Sequence, residues 1–493
     1  MATKIVVIAL YALMIIIVGI IGMRKTKSFS DFFLGGGNVG PWMTAFSYGT
    51  AYFSAVLFIG FAGKIGWGFG YSGLWIALFN AIIGVLLVWG LLGWKIKKMS
   101  TEYNVATINE FLEKRYQSKF LKLIGSIVIF VFLIPYSAAV FMGLSYLFTV
   151  NFGIEYWMAL LFIGIFTATY IIMGGYKSMA LIDMIFGIIM TVVVIILFIS
   201  TVDKGEGISN ITSSLALINK KLTSAVGPPG FWPLFSLVFL TSVAPLAMPQ
   251  LVQKFYAIKD KRAVRTGTIA STVFALLIGG VAYFLGSTTR IFLSPETAPA
   301  AFENGRPIFD RLMPELLTNV IPDSLSVLVL LLILAASMST LASLVLVSSS
   351  SFAKDFYAGF IKKNITDKKL TMLMRIMSGV FVIFAVLLAY IKFDVIVEIL
   401  GISWGAIGSF FLGPFVWGLL SKRVNRFGSI SSALLGLGVC LTLYFLGLYI
   451  NIHPKPWYYT SPGAGTIGMI VSLVVNPVFS LLCKEKSLNQ LNS

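Results

Sequence analysis

Apolar runs of about 20 residues recur along the chain, each long enough to cross a bilayer as a helix. Thirteen are recognised, at about 5–22, 42–62, 73–94, 121–150, 157–174, 179–201, 231–250, 268–288, 326–352, 374–391, 395–420, 427–450 and 463–483. The pattern predicts an all-α polytopic membrane protein with thirteen transmembrane helices. The run 121–150 is overlong and contains Pro135, which predicts a tilt or kink. The two longest polar connections, 202–230 and 289–325, hold short amphipathic pieces such as 301–317 and predict lids or surface helices.

Charge orients these spans. The first run is followed by Arg24, Lys25 and Lys27, the reverse of a cleaved signal peptide, so it reads as a retained helix with its N-terminus outside. With that start, 27 of the 37 Lys and Arg residues fall in inside loops. The remainder are Lys4, Lys64, Lys204, Lys220, Lys221, Arg290, Arg306, Arg311, Lys392 and Lys455, outside. This bias sets the C-terminus in the cytoplasm. Lys254 counts as the first cation of an inside loop, and no Lys or Arg falls deep inside a predicted span.

Composition agrees. Hydrophobic residues make up 58% of the chain and charged residues 11%, with a net charge of +18, whereas a soluble domain carries roughly 25% charged residues. The basic balance belongs to orienting loops, since no basic stretch has the interleaved pattern of a nucleic-acid interface. Cys440 and Cys483 both sit in predicted spans and form neither a disulfide framework nor a metal motif. His453, the one histidine, lies in a loop. An intramembrane serine hydrolase would need a base beside its nucleophile, and no base is placed to serve.

Polar groups inside the spans mark the candidate chemistry. Asp183 and Glu398 are the intramembrane acids, and a buried acid is costly unless used or paired. Glu398 reads equally as an interface residue reaching outer water. Segment two carries Gly49 among Ser47, Thr50, Tyr52 and Ser54, and segment seven carries Thr241, Ser242, Pro245 and Pro249. Such breakers free backbone carbonyls, which is tolerated only where the backbone faces protein or a wet cavity. Segments two and seven lie five apart, so 2–6 and 7–11 form two inverted five-helix units, with broken helices at matching positions.

In the third segment of the second unit, ASMSTLASLVLVSSSS (336–351), Ala336, Ser339, Thr340 and Ser343 share one helical face. A hydroxyl face beside unwound carbonyls suits a hard monovalent cation such as Na⁺. Close packing through small residues is the competing reading. Ser337 reads as packing, and Ser348–Ser351 as a solvated helix end.

Four stretches in order, FFLGGGNVGPWMTAFSYGTAYFSA (32–55), YIIMGGYKSMALIDMIFGIIM (170–190), MPQLVQKFYAIKD (248–260) and SMSTLASLVLVSSSSFAKDFY (337–357), resemble the sodium:solute symporter family. The resemblance implies a leucine-transporter-like 5+5 inverted repeat working by alternating access in a single transmembrane domain over 1–493. Its parts are an extra N-terminal helix (5–22), repeat 1 (38–202), repeat 2 (230–422) and two C-terminal helices (427–483).

It also implies Na⁺ as the coupling ion, held by the carbonyls of Thr50, Phe53 and Ala336 and the hydroxyls of Ser339 and Thr340. Asp183 takes the position of a family acid near the inner exit. In some members that acid joins hydroxyls at the positions of Ala342 and Ser343 in a second sodium site, and Ala342 has none to offer. The substrate set implied is Tyr52, Ser54, Thr241, Pro245, Met248 and Trp404.

The proline-carrier branch is similar at SMSTL and Ser54 but has Trp and Tyr where Thr241 and Pro245 stand. The sialic-acid branch has an arginine where apolar residues surround Pro135 and Tyr136. Without a deep cation, a carboxylate would be held by half-helix N-termini and backbone amides. An amino acid, a small monocarboxylate or a vitamin such as pantothenate fits that requirement. Proton coupling through Asp183 is the alternative, and a channel or sensor a more remote one. The expected partners are the solute, the sodium ion and the lipid of a plasma membrane, the bacterial cytoplasmic one. No nucleic acid is expected. The sequence sets no oligomeric state, and a monomer meets every requirement above.

Overall fold

The computed structural model describes residues 2–25, 28–320, 322–450, 452 and 454–483. His453 lies outside them. The architecture is helical almost throughout, with one two-residue β-hairpin pairing Phe302–Glu303 with Arg306–Pro307. Among the described residues, twelve helical runs are long and apolar enough to cross a membrane. They follow the predicted segments except near the beginning. There the helix Pro41–Tyr52 stops at Phe53, and a separate run of 47 residues extends over Val56–Glu102.

That run would measure about 70 Å as one straight helix, more than twice the hydrocarbon thickness. It is instead turned at Gly70, whose φ of +58° and ψ of −136° suit only glycine. A Cβ there would lie 2.2 Å from the carbonyl oxygen of Leu222. A second close approach joins the helices Ala62–Phe69 and Lys261–Phe292: a Cβ on Gly286 would lie 2.0 Å from the Ala62 carbonyl, and one on Gly66 would lie 2.0 Å from the carbonyl carbon of Gly286.

Burial separates core helices from peripheral ones. Ile396–Leu420 is buried along its whole apolar length and packs against Lys119–Phe152, Arg426–Tyr449 and Ser461–Leu482. The hydroxyl helix Asp323–Ser350 is also largely enclosed. The first helix, Ala2–Lys25, exposes Ile5, Val6, Leu10 and Leu13, an apolar face suited to lipid. Pro135 sits inside a continuous helix, Lys119–Phe152. The polar connections hold the short helices Ile208–Ile218 and Phe309–Glu315; the first is largely exposed, as expected of a surface piece, whereas the second is packed inward, with Asp310, Leu312, Met313, Pro314 and Glu315 buried. Cys440 is buried, whereas Cys483 is exposed just past the last helix, so only one cysteine lies within a span.

Candidate sodium and solute site

The first broken helix exposes its own carbonyls. Past Tyr52 the chain is extended at Phe53, with φ −106° and ψ 97°. The amides of Ala55, Val56 and Leu57, which would have bonded carbonyls 51, 52 and 53 in a regular helix, are diverted. Ala55 N–H donates to Ser337 Oγ at 3.2 Å, Val56 N–H to Ser54 Oγ at 3.2 Å, and Leu57 N–H to the Ser54 carbonyl at 3.0 Å. The carbonyls of Ala51, Tyr52 and Phe53 are thereby freed. Ser337, read as packing from the sequence, is a cap that keeps this break open.

The hydroxyl helix faces those carbonyls. Thr340 Oγ1 lies 2.9 Å from the Thr50 carbonyl, 3.4 Å from that of Ala51 and 3.0 Å from that of Ala336. One hydroxyl proton cannot serve three carbonyls, so the cluster carries surplus lone pairs. Ser339 Oγ is 2.7 Å from Thr50 Oγ1. Thr50, Ala336, Ser339 and Thr340 thus converge, with Phe53 at the break beside them. This neutral oxygen set fits a hard monovalent cation.

Asp183 and Ser343 border the same cluster. Asp183 is fully buried, and Ser47 Oγ donates to its Oδ2. Ser343 Oγ receives a 2.9 Å hydrogen bond from Lys254 Nζ, a side chain with no exposure at all. The ammonium also lies 4.9 Å from the centre of the Tyr176 ring and within the electrostatic field of Asp183. Lys254, counted from the sequence as the first cation of an inside loop, is instead enclosed by the protein near the end of the run Phe231–Ala257. Pro249 starts a new helix, Pro249–Ala257, whose every residue is buried, and that helix carries Lys254 inward.

The solvated helix end expected at Ser348–Ser351 is also corrected, since all four serines are buried. Ser351 Oγ donates to the Ser126 carbonyl and accepts from Asn109 Nδ2, both at 3.2 Å. One turn on, buried Asp355 accepts from Thr107 at 2.7 Å and from Asn109 at 2.8 Å. Its position continues the i, i+4 row from Ser351, a local signal that could have marked this acid in the sequence. Glu398 is neither free nor simply wet. It pairs with Lys64 at 2.7 Å and accepts from the Ser461 N–H at 3.1 Å.

A small cavity of about 30 Å³ adjoins the first break, lined by Tyr52, Ser54, Asn80, Tyr136, Thr241 and Trp404, among others. The Tyr52 ring stacks on Trp404 at 5.8 Å, and Tyr136 meets Trp404 edge-on at 5.8 Å. The Tyr52 hydroxyl donates to the Thr241 carbonyl at 2.5 Å, tying the two broken helices together. Of the six expected substrate residues, Tyr52, Ser54, Thr241 and Trp404 line this cavity. Pro245 and Met248 are buried at the second break, between Phe231–Val243 and Pro249–Ala257, and do not line it. Asn80 was not foreseen.

Comparison with known proteins places this geometry. The chain is 26% identical to the osmoregulated proline transporter OpuE of Bacillus subtilis, over 97% of this chain and 94% of the relative. It is 28% identical to the sodium/pantothenate symporter of Escherichia coli, over 91% and 92% respectively. Its fold matches a solved structure of a Na⁺-coupled sialic acid symporter in its substrate-bound outward-open state. The TM-score is 0.79 at 19% identity, covering 98% of this chain and 99% of the other. A family model described as the sodium:solute symporter family matches residues 32–436. The chain belongs to the sodium:solute symporter family.

Proposed function

We propose that this protein carries a small organic solute across a cell membrane together with Na⁺, by alternating access. The observation that carries the reading is the oxygen cluster in which the Thr340 hydroxyl faces the carbonyls of Thr50, Ala51 and Ala336 and Ser339 meets Thr50, with the Phe53 carbonyl at the break as a further proposed ligand. Its members come from two different helices, so Na⁺ bound there bridges the first broken helix to the hydroxyl helix. Solute in the adjoining cavity rests on the same broken helix through Tyr52 and Ser54. Each ligand then favours the conformation that the other needs, and the coupling is reciprocal. Neutral ligands suit a transported ion, because it must also leave.

Thirteen crossings with the N-terminus outside and the C-terminus inside follow if the run 56–102 is counted as two crossings, parted at Gly70, and the first of them takes Pro41–Tyr52 as its other half. The inward charge bias supports this orientation, and matching breaks near 53 and 247 support two inverted five-helix repeats. Proline, pantothenate and sialic acid name the relatives' solutes, and the small-carboxylate or amino-acid class is taken from them. A bacterial cytoplasmic membrane is the proposed setting.

Counterflow and uptake in proteoliposomes test the reading. Solute accumulation should need an inward Na⁺ gradient and fall in Ser339→Ala with Thr340→Ala. Accumulation that ignores Na⁺ but follows a proton gradient, and is lost in Asp183→Asn, would replace sodium coupling with proton coupling.

A further inference from the structure

A second cavity lies further along the hydroxyl helix, lined by Thr107, Gln253, Tyr256, Ser351 and Asp355, among others. It measures about 10 Å³, the room of one water molecule or one small ion. Asp355 is its acid and is fully buried. Neutral donors fix the carboxylate: Thr107 Oγ1 donates to Oδ1 at 2.7 Å and Asn109 Nδ2 to Oδ2 at 2.8 Å. Thr107 Oγ1 also accepts from the Glu110 N–H at 3.1 Å. The cations nearby are already engaged. Lys122 pairs with Glu113 at 2.8 Å, Lys354 pairs with Glu110 at 3.3 Å, and Lys97 binds the carbonyls of Gly37 and Tyr256. Among the described residues no ion pair reaches Asp355. Its two paired neighbours cancel, and one buried negative charge is left over. Such a charge needs a partner.

Unpartnered oxygens on the same cavity indicate what that partner is. Gln253 Nε2 donates to the Phe33 carbonyl at 2.8 Å, while its Oε1 is buried with no donor among the described residues. The Tyr256 hydroxyl is buried without a partner as well. Ser351 Oγ, which donates to the Ser126 carbonyl and accepts from Asn109, keeps one lone pair. A carboxylate, an amide oxygen, a phenol and a serine hydroxyl form a hard oxygen set with one net negative charge. That set matches a monovalent inorganic cation.

We propose that the Asp355 cavity is a cation site that receives Na⁺ after it leaves the Thr50–Thr340 cluster and before it reaches the cytoplasm. Asp355 follows Thr340 on one helical run, Leu325–Ile361, and lies about 20 Å beyond it toward the end that the charge bias places inside. The carboxylate offsets the charge of the ion where little water reaches it, and Gln253, Tyr256 and Ser351 complete its shell. Gln253 and Tyr256 belong to the restarted helix Pro249–Ala257, so an ion here ties the hydroxyl helix to the inner half of the second break. The inference rests on the symport reading above for the arrival of Na⁺ and adds a separate site to it.

The test uses the full-length protein with Ser339→Ala and Thr340→Ala together, which silence the first cluster. Na⁺ should still raise the melting temperature of that double variant above the value in an equal concentration of choline. Adding Asp355→Asn should abolish the residual rise. Adding Gln253→Met instead should raise the Na⁺ concentration that half-saturates it by about tenfold. Asp355→Asn alone should keep the rise that belongs to the first cluster, which shows that the variant folds. In proteoliposomes, Asp355→Asn should slow ²²Na⁺ entry by about tenfold, while the external Na⁺ concentration that half-saturates entry stays within about twofold.

A double variant whose melting ignores Na⁺ would overturn the site, and is the result expected of a carboxyl that simply carries a proton. A residual rise that survives Asp355→Asn would overturn it too. K⁺ matching Na⁺ in the double variant, or ²²Na⁺ entry at the wild-type rate in Asp355→Asn, would overturn its place on the Na⁺ route. Absence of any Na⁺-induced rise in the wild type would instead sink the symport reading, so the two failures are distinguishable.

Discussion

At the scale of single residues, the proposed sodium cluster rests on Thr340 and Ser339. Replacing either by alanine removes an oxygen ligand that no neighbour replaces. Each substitution should weaken Na⁺ binding by about tenfold or more, read as the Na⁺ concentration that half-saturates uptake or the melting shift. Unchanged Na⁺ dependence in the double variant would remove the cluster from the mechanism. Lys254 makes a second case. A buried ammonium beside a buried carboxylate is costly to strip of its partner, so Lys254→Met alone should destabilise the protein by about 3–5 kcal/mol. Combining it with Asp183→Asn should cost clearly less than the sum of the two single changes in a thermal-unfolding cycle. Strict additivity would show that the pair does not interact. The hydroxyl face was legible because helical spacing is a local property. Lys254 was not, because its depth follows from a helix restarted at Pro249 and buried by its neighbours.

At the scale of elements, the breaks and the close crossings dominate. Gly49 and the hydroxyls around it signalled a break in the first helix, but its location at Phe53 depends on partners distant in sequence. Ser337 supplies one of them, from 282 positions away. The crossing of Gly66 with Gly286 has no local signature at all. Gly286→Ala would drive a Cβ to 2.0 Å from the Ala62 carbonyl, whereas Gly280 on the same helix has nothing within 4 Å. Gly286→Ala should therefore lower thermal stability by about 1–3 kcal/mol. Gly280→Ala should be neutral or stabilising by about 0.4–1 kcal/mol. Equal effects at the two positions would contradict the crossing.

At the scale of the whole molecule, the helix Phe309–Glu315 ties an outer connection to the core, packing against Ala62–Phe69 and Lys119–Phe152. Asp310, on the helix Phe309–Glu315, is buried and accepts a 3.1 Å hydrogen bond from the Ile396 N–H, at the start of the most enclosed helix. Burial pushes its carboxyl up to about 7, aided by the Asp394 charge and opposed by the Ile396 N–H and by Lys64. The native state therefore prefers Asp310 protonated. The stability this confers is complete below the unfolded value near 4 and is lost as pH rises through about 7. Glu398, paired with Lys64, completes the charged surroundings. Thermal stability should fall between pH 5 and pH 8, by at most about 1.4 kcal/mol per pH unit from this group. Asp310→Asn should flatten that slope, and an unchanged slope would clear Asp310 of the role.

What the sequence determined by itself follows from local physics. Apolar run length sets which segments can be membrane helices, hydroxyl spacing sets which oxygens share a face, and Gly and Pro mark where a helix gives up its hydrogen bonds. Those features carried Thr50, Ser339, Thr340 and Asp183, and the resemblance to the family named the ion. Tertiary structure alone decided which freed carbonyls meet which hydroxyls. It also decided that Lys254 and Ser348–Ser351 are buried, that Ser337 caps a distant break, and that Ser242 donates to Asn80. Each of these is settled by a contact between residues far apart in the chain, where enclosure by neighbouring helices, rather than local hydropathy, fixes the cost of leaving a polar group unpaired.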